Sequence, residues 1–337
     1  MRPVEAPVRP PTFRSEDDAA CASDDMLVSP RNFAHMRVLF QLALALACPA
    51  IILPASCEYY RPRRASPKTT LKDIIVFGDS FADNGNAYRF DNETWPADPH
   101  YYHGRFSNGP VWVEDLAGIL GVKLHDYAVG GATSDNKLVQ GYTGSNSSIA
   151  VPSATDQVSQ YLGDAISKEN KAGALFIIAI GANDAFFDVN VTAAETVGNI
   201  VRMMKKLRYH GAKHFLLASY PDLSRLPLRA YSSPAVIQQL HTYSTELRAL
   251  LQALTGTNVA FADFYQLIEG VLANPDRYGY DKTKVTKSCL TGVYHEAPKS
   301  LCDDPDRYIF WDEYHPTRKT HQLLAVTAEK DIQRFSS

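Results

Sequence analysis

No charge of either sign dominates this chain. Its 337 residues carry 34 basic and 37 acidic side chains, a net charge of −3, so it lacks the basic excess with which a domain tracks nucleic-acid phosphates. It also lacks an unbroken apolar run of about 20 residues, the length that spans a bilayer. The longest candidate, Val38 to Ser56, is interrupted by Pro49 and Pro54. There is no His-Glu-x-x-His motif, and His100 and His103 have no evident third ligand, so no metal site is read. The G-x-S-x-G elbow is missing as well, because Ala82 stands where its second glycine would be. Cysteine is scarce, with five in all. What remains, 45% hydrophobic and 11% aromatic, is an ordinary globular composition with enough apolar mass for a substantial core.

The N-terminal part reads differently from the rest. Residues 1–35 are rich in Pro, Asp and Arg without apolar periodicity, as in a disordered leader or a misplaced start. Residues 36–57 then have the form of a secretory signal peptide: Met36-Arg37, a short apolar core and small residues near its end. A signal anchor is the rival reading. Residues 58–70 form a polar, proline-punctuated linker whose Arg61-Pro62-Arg63-Arg64 cluster suits a solvated or processed segment. Export would put Cys289 and Cys302 in an oxidising compartment, where they would pair. Sequons at Asn92, Asn146 and Asn190 fit a secreted glycoprotein.

From Leu71 onward, short aliphatic runs (73–78, 122–129, 174–181, 213–219, 258–263) alternate with amphipathic stretches (111–120, 154–166, 194–211, 235–254, 318–335). Apolar strands alternating with helices predict a parallel sheet covered on both faces. With no repeat and no further composition shift, residues 71–337 read as one α/β domain. Such sheets place their sites beyond the carboxyl ends of the strands.

Four segments carry candidate chemistry. Ser80 follows the first strand in Gly78-Asp79-Ser80, a place for an exposed nucleophile or for a helix N-cap. Gly130-Gly131 follows the second strand, where backbone amides can line an oxyanion site or close a plain turn. Asn183 follows the third strand, as a neutral side-chain donor or a cap. Near the C-terminus Asp312 precedes His315 by three residues, just ahead of Pro316. A carboxylate there can orient the imidazole, and a metal pair or a capping turn would look alike. Asp79 and Asp83 fit hydrogen-bonding to backbone amides of the nucleophile loop. Trp95, Tyr101, Tyr102 and Trp311 could stack on sugar rings or pack internally.

In this order, GDSFADNGN, AVGGATS, GANDA and DEYHPT resemble the four blocks of the SGNH hydrolases, also called GDSL esterases and lipases. The resemblance runs from about Asp73 to the C-terminus. It implies a three-layer α/β/α fold with a flavodoxin-like parallel sheet, and a serine esterase that needs no cofactor. Ser80 would be the nucleophile, His315 the base and Asp312 its partner. The oxyanion donors would be the Ser80 and Gly131 amides and Asn183. HGRFSNGPVWVEDLA and FWDEYHPT are similar to secreted fungal acetylesterases of carbohydrate esterase family sixteen. Plant GDSL lipases and bacterial haemolysin-like phospholipases share this branch. The expectation is therefore a secreted, monomeric short-chain esterase acting on acetylated carbohydrates. A lipase or lysophospholipase with the same triad is the alternative, and a catalytically silent binding protein a third.

Overall fold

The computed structural model describes residues 71–97, 99–168, 171–294 and 299–333. The segments read as leader (1–35), signal (36–57) and linker (58–70) lie outside the described residues.

β1 (Asp73–Gly78) leads through the short α1 (Asn86–Phe90) and α2 (Trp112–Leu120) to β2 (Lys123–Asp126). A two-stranded ribbon, β3 (Tyr142–Thr143) with β4 (Ile149–Ala150), precedes α3 (Ala154–Gly163). Then come β5 (Ala174–Ala179), α4 (Ala182–Phe187), α5 (Ala193–Tyr209), β6 (His214–Ala218), α6 (Pro234–Ala253), β7 (Val259–Ala262) and α7 (Phe264–Ala273). A second ribbon, β8 (Leu290–Thr291) with β9 (Ser300–Leu301), comes before α8 (Arg318–Ile332).

The five long strands form one sheet in the order β2-β1-β5-β6-β7, with every pairing parallel. This is the flavodoxin-like order. It arises because β1 and β5 are apolar at nearly every position, as strands buried on both faces must be. The edge strand β2, by contrast, is only half-buried and ends early, at Asp126 rather than 129. Right-handed crossovers put α2 on the face opposite α3, α5 and α6. α7 and α8 join α2, with Trp112 meeting Phe264 edge-on at 5.0 Å between ring centroids.

Helix starts follow local chemistry. Ser153 with Asp156, and Thr192 with Glu195, form capping boxes on α3 and α5. Thr317 accepts the Thr320 amide at the head of α8. Because the sheet order reverses between β1 and β5, the loops after them diverge and leave a crevice there. Ser80 sits on the first of those loops, and Asn183 in the first turn of α4, which follows β5.

Candidate active site

Each site residue is held by its own element. β1 ends at Gly78, whose amide and carbonyl are both taken by the Gln157 side chain of α3 at 2.9 Å. Two residues later Ser80 emerges, largely buried, with its Oγ 2.8 Å from His315 Nε2. His315 Nδ1 faces both oxygens of the fully buried Asp312 at 2.8 Å. The Tyr314 and His315 amides also donate to Asp312 Oδ1, at 2.9 and 2.8 Å, so the Asp-His turn is closed by its own backbone. Burial alone would raise the Asp312 pKa. The facing imidazole and the hydrogen bonds from His315, Tyr101 and Tyr314 overcome it and hold the carboxyl below its usual range.

The two glycines after β2 have different fates. The Gly130 amide donates to Asp83 Oδ2 at 2.7 Å. The Gly131 and Ser80 amides have no hydrogen-bond partner among the described residues. Gly131 has φ +87°, and a Cβ there would lie 1.9 Å from the Tyr142 carbonyl oxygen, so only glycine fits. Asn183 opens α4 and donates through Nδ2 to the Ala132 carbonyl at 2.9 Å, which leaves its second N–H for another acceptor. Ser80, Gly131, Asn183 and His315 all line one cleft of about 290 Å³.

The two loop aspartates act on backbone, as the sequence suggested. Asp83 accepts the amides of Gly85, Asn86, Ala87 and Gly130. Asp79 accepts from the Phe81 amide at 3.1 Å and the Tyr220 hydroxyl at 2.7 Å, and burial pushes its pKa up to about 7. Cys289 and Cys302 are bonded. Their ribbon supports the Asp-His turn, because the Cys289 amide donates to the Phe310 carbonyl at 3.1 Å and Leu290 to that of Trp311 at 2.6 Å.

The aromatic candidates divide. Trp95 lines the cleft, and Tyr102 is exposed. Tyr101 and Trp311 are buried in a small cluster with Cys289 and Leu290, and so are unavailable to a sugar ring. Among the described residues 85–109, Trp95 and Phe106 line the cleft wall. The other role of this segment was not foreseen: Phe106 packs on the His315 ring at 5.0 Å, Ser107 donates to the Pro316 carbonyl, and Asn108 accepts the Arg318 amide. The motif HGRFSNGP was the available signal. Among the described residues, no group of three or more His, Cys, Asp or Glu is placed to hold a metal.

A serine-imidazole-carboxylate chain beside amides that have no partner among the described residues, at the reversal point of a parallel sheet, is the arrangement of serine hydrolases. The family model described as GDSL-like Lipase/Acylhydrolase matches residues 74–326. The chain belongs to this family and is a carboxylic-ester hydrolase. It is 29% identical over 273 residues to the thermolabile hemolysin of Vibrio parahaemolyticus, covering 76% of this chain and 62% of that protein. It is 30% identical over 322 residues to the phosphatidylcholine-sterol acyltransferase of Aeromonas hydrophila, covering 80% of this chain and 92% of that protein. The structure of the aryl esterase of M. smegmatis matches 78% of this chain and 99% of its own, at 18% identity and a TM-score of 0.45.

Proposed function

We propose that the chain hydrolyses short-acyl esters through an acyl-serine intermediate, with Ser80 as nucleophile, His315 as base and Asp312 as its orienting partner. The unbroken contact from Ser80 Oγ through His315 to Asp312 carries this reading. As Oγ bonds the ester carbonyl carbon, its proton passes to His315 Nε2. The oxyanion is held by the Ser80 and Gly131 amides and by Asn183 Nδ2. Collapse expels the alcohol, which takes the proton from Nε2. Water, deprotonated by the same nitrogen, then attacks the acyl carbon, and release of the acid restores Ser80.

Cleft size favours a short acyl group. A volume of about 290 Å³ lies at the small end of ligand sites, about 300–1,000 Å³. The aromatic faces of Trp95, Tyr294 and Tyr314 suit an acetyl methyl or one face of a sugar ring, in keeping with acetylated carbohydrates and family sixteen acetylesterases. A lipid ester is the second reading, favoured by the apolar wall that Phe81, Phe106, Phe186 and Phe187 add. Secretion belongs to the same proposal. It is supported by the Cys289–Cys302 bond and by the exposure of Asn92, Asn146 and Asn190. No helix of the described residues is long and apolar enough to cross a membrane.

Two assays test this. A serine-directed phosphonate is expected to label the wild type and not Ser80→Ala. A kcat/KM series of 4-nitrophenyl esters from acetyl to palmitoyl, with acetylated xylo-oligosaccharides and lysophosphatidylcholine alongside, is expected to peak at acetyl. A peak at eight carbons or more, or preference for the phospholipid, overturns the short-acyl reading and leaves the serine mechanism standing.

A further inference from the structure

Asp312 has a donor that the proposed triad does not account for. The Tyr101 hydroxyl donates to Asp312 Oδ2 at 2.7 Å from 211 residues away. Tyr101 is fully buried, and its ring is fixed by Trp95, Phe106 and Trp311 at centroid distances of 6.3, 6.4 and 6.5 Å. A single line of hydrogen bonds thus runs from Tyr101, through Asp312 and His315, to Ser80 Oγ.

We infer that Tyr101 is a positioning residue of the esterase: its hydroxyl holds the Asp312 carboxylate in the plane of the His315 ring and shares its negative charge. The inference rests on the triad reading above. Asp312 Oδ1 already accepts two backbone amides, whereas Oδ2 has Tyr101 as its donor besides the imidazole. A buried carboxylate with an unfilled lone pair either turns toward another donor or binds its remaining partner harder. Burial and the Asp312 charge keep the Tyr101 hydroxyl protonated far above neutral pH, so it serves as a donor throughout the working range. The titratable groups facing the Asp312–His315 pair are Tyr101, Tyr294, Tyr314, Glu313, Asp79 and His321. Of these, Tyr101 is the one whose side chain donates to the carboxylate at 2.7 Å.

The sign of the effect follows. Without the Tyr101 hydroxyl, more of the carboxylate's charge falls on the Nδ1 side. The imidazolium is held more tightly, and the free base that kcat/KM requires forms only at higher pH.

The test is Tyr101→Phe, which keeps the packed ring, assayed on 4-nitrophenyl acetate from pH 4 to 9. The expected result is a kcat lower by about tenfold at the plateau, with KM within twofold. The acid limb of kcat/KM should also move up by about one pH unit. A loss from loosened packing alone would lower kcat without moving the limb. If Tyr101→Phe does not fold, 3-fluorotyrosine at position 101 takes its place; it keeps the ring and is a stronger donor, so a limb shift of the opposite sign is expected. An unmoved limb in a folded, phosphonate-labelled variant overturns the positioning role and leaves the triad intact. A wild type that is neither active nor labelled overturns both.

Discussion

Asp83 and Gly130, 47 residues apart, meet at 2.7 Å, and that contact separates the two glycines that follow β2. One amide is committed to the carboxylate, and its neighbour Gly131 is left without a partner. Asp83 Oδ1 takes Gly85 and Asn86, while Oδ2 takes Ala87 and Gly130. In Asp83→Asn, whichever oxygen becomes an NH2 group faces two amide donors. Stability is expected to fall by about 1–3 kcal/mol, read as a lower urea midpoint at unchanged slope. A midpoint equal to the wild type's would mean that the buried amides find other acceptors.

Gly131 and Gly118 make a matched pair of glycine tests. A Cβ at Gly131 would lie 1.9 Å from the Tyr142 carbonyl oxygen, on a backbone with φ +87°. Gly131→Ala is therefore expected to cost well over about 1 kcal/mol and to abolish turnover, since the turn must move. Gly118 lies exposed within α2, with nothing within 4 Å of an added Cβ. Gly118→Ala should stabilise by about 0.5–1 kcal/mol with normal activity. Thermal melts of the two variants decide it, and equal effects would contradict the geometry.

Asn183→Ala removes a donor at the cleft and a single hydrogen bond to Ala132. The rate constant should drop by about 10²–10³, while stability changes by only about 1 kcal/mol. Full activity would reduce Asn183 to tying α4 to the Ala132 carbonyl; the capping role that the sequence also allowed is not filled by Asn183, since Gly181 is the N-cap.

How much of this was legible beforehand depends on the range of each interaction. β1 and β5 could be read because a strand buried on both faces is a continuous apolar run. Ser80, Asn183 and the Asp312–His315 pair lay in short motifs at strand ends or beside a helix start. The two ribbons, with strands of two residues each, are too short to show a period. α7 was missed although Asp263 caps it, because its apolar helix merges with the strand before it. The strand-end pattern alone did not separate Gly130 from Gly131; the family resemblance named Gly131, and the Asp83 carboxylate that occupies the Gly130 amide lies 47 residues away. For Tyr101 the sequence left stacking on a sugar ring and internal packing both open, and its partner lies 211 residues on. No local pattern encodes such a contact.

The disulfide ribbon gives a further test. The Cys289–Cys302 bond closes a loop with a sequence separation of 13. Replacing both cysteines by serine is expected to cost about 3 kcal/mol in the loop-entropy picture. Because the ribbon's amides hold Phe310 and Trp311, next to Asp312, kcat should fall as well. Stability lost with kcat unchanged would show that the Asp-His turn stands without the ribbon.

Asp79 provides the pH test. Its carboxyl is buried beside Ser80, and burial raises its pKa from 3.8 to about 7 against the hydrogen bonds from Tyr220 and Phe81. A group whose folded pKa lies above its unfolded one binds more protons in the folded state throughout that interval. Its contribution to stability is therefore fully present below about pH 3.8 and is lost as pH rises toward about 7. Asp184, raised to about 6 by burial, acts in the same direction, so the wild-type profile alone does not isolate Asp79. Asp79→Asn does: its amide can still accept the Phe81 hydrogen bond and donate to the Tyr220 oxygen, and it does not titrate. The variant should lose less stability than the wild type between pH 4 and 7, with the two curves running parallel above pH 8. Melting temperatures of both proteins at half-unit steps from pH 4 to 9 provide the comparison. Curves parallel over the whole range would mean that the Asp79 carboxyl is already ionised at pH 4, and that the Tyr220 and Phe81 donors outweigh its burial.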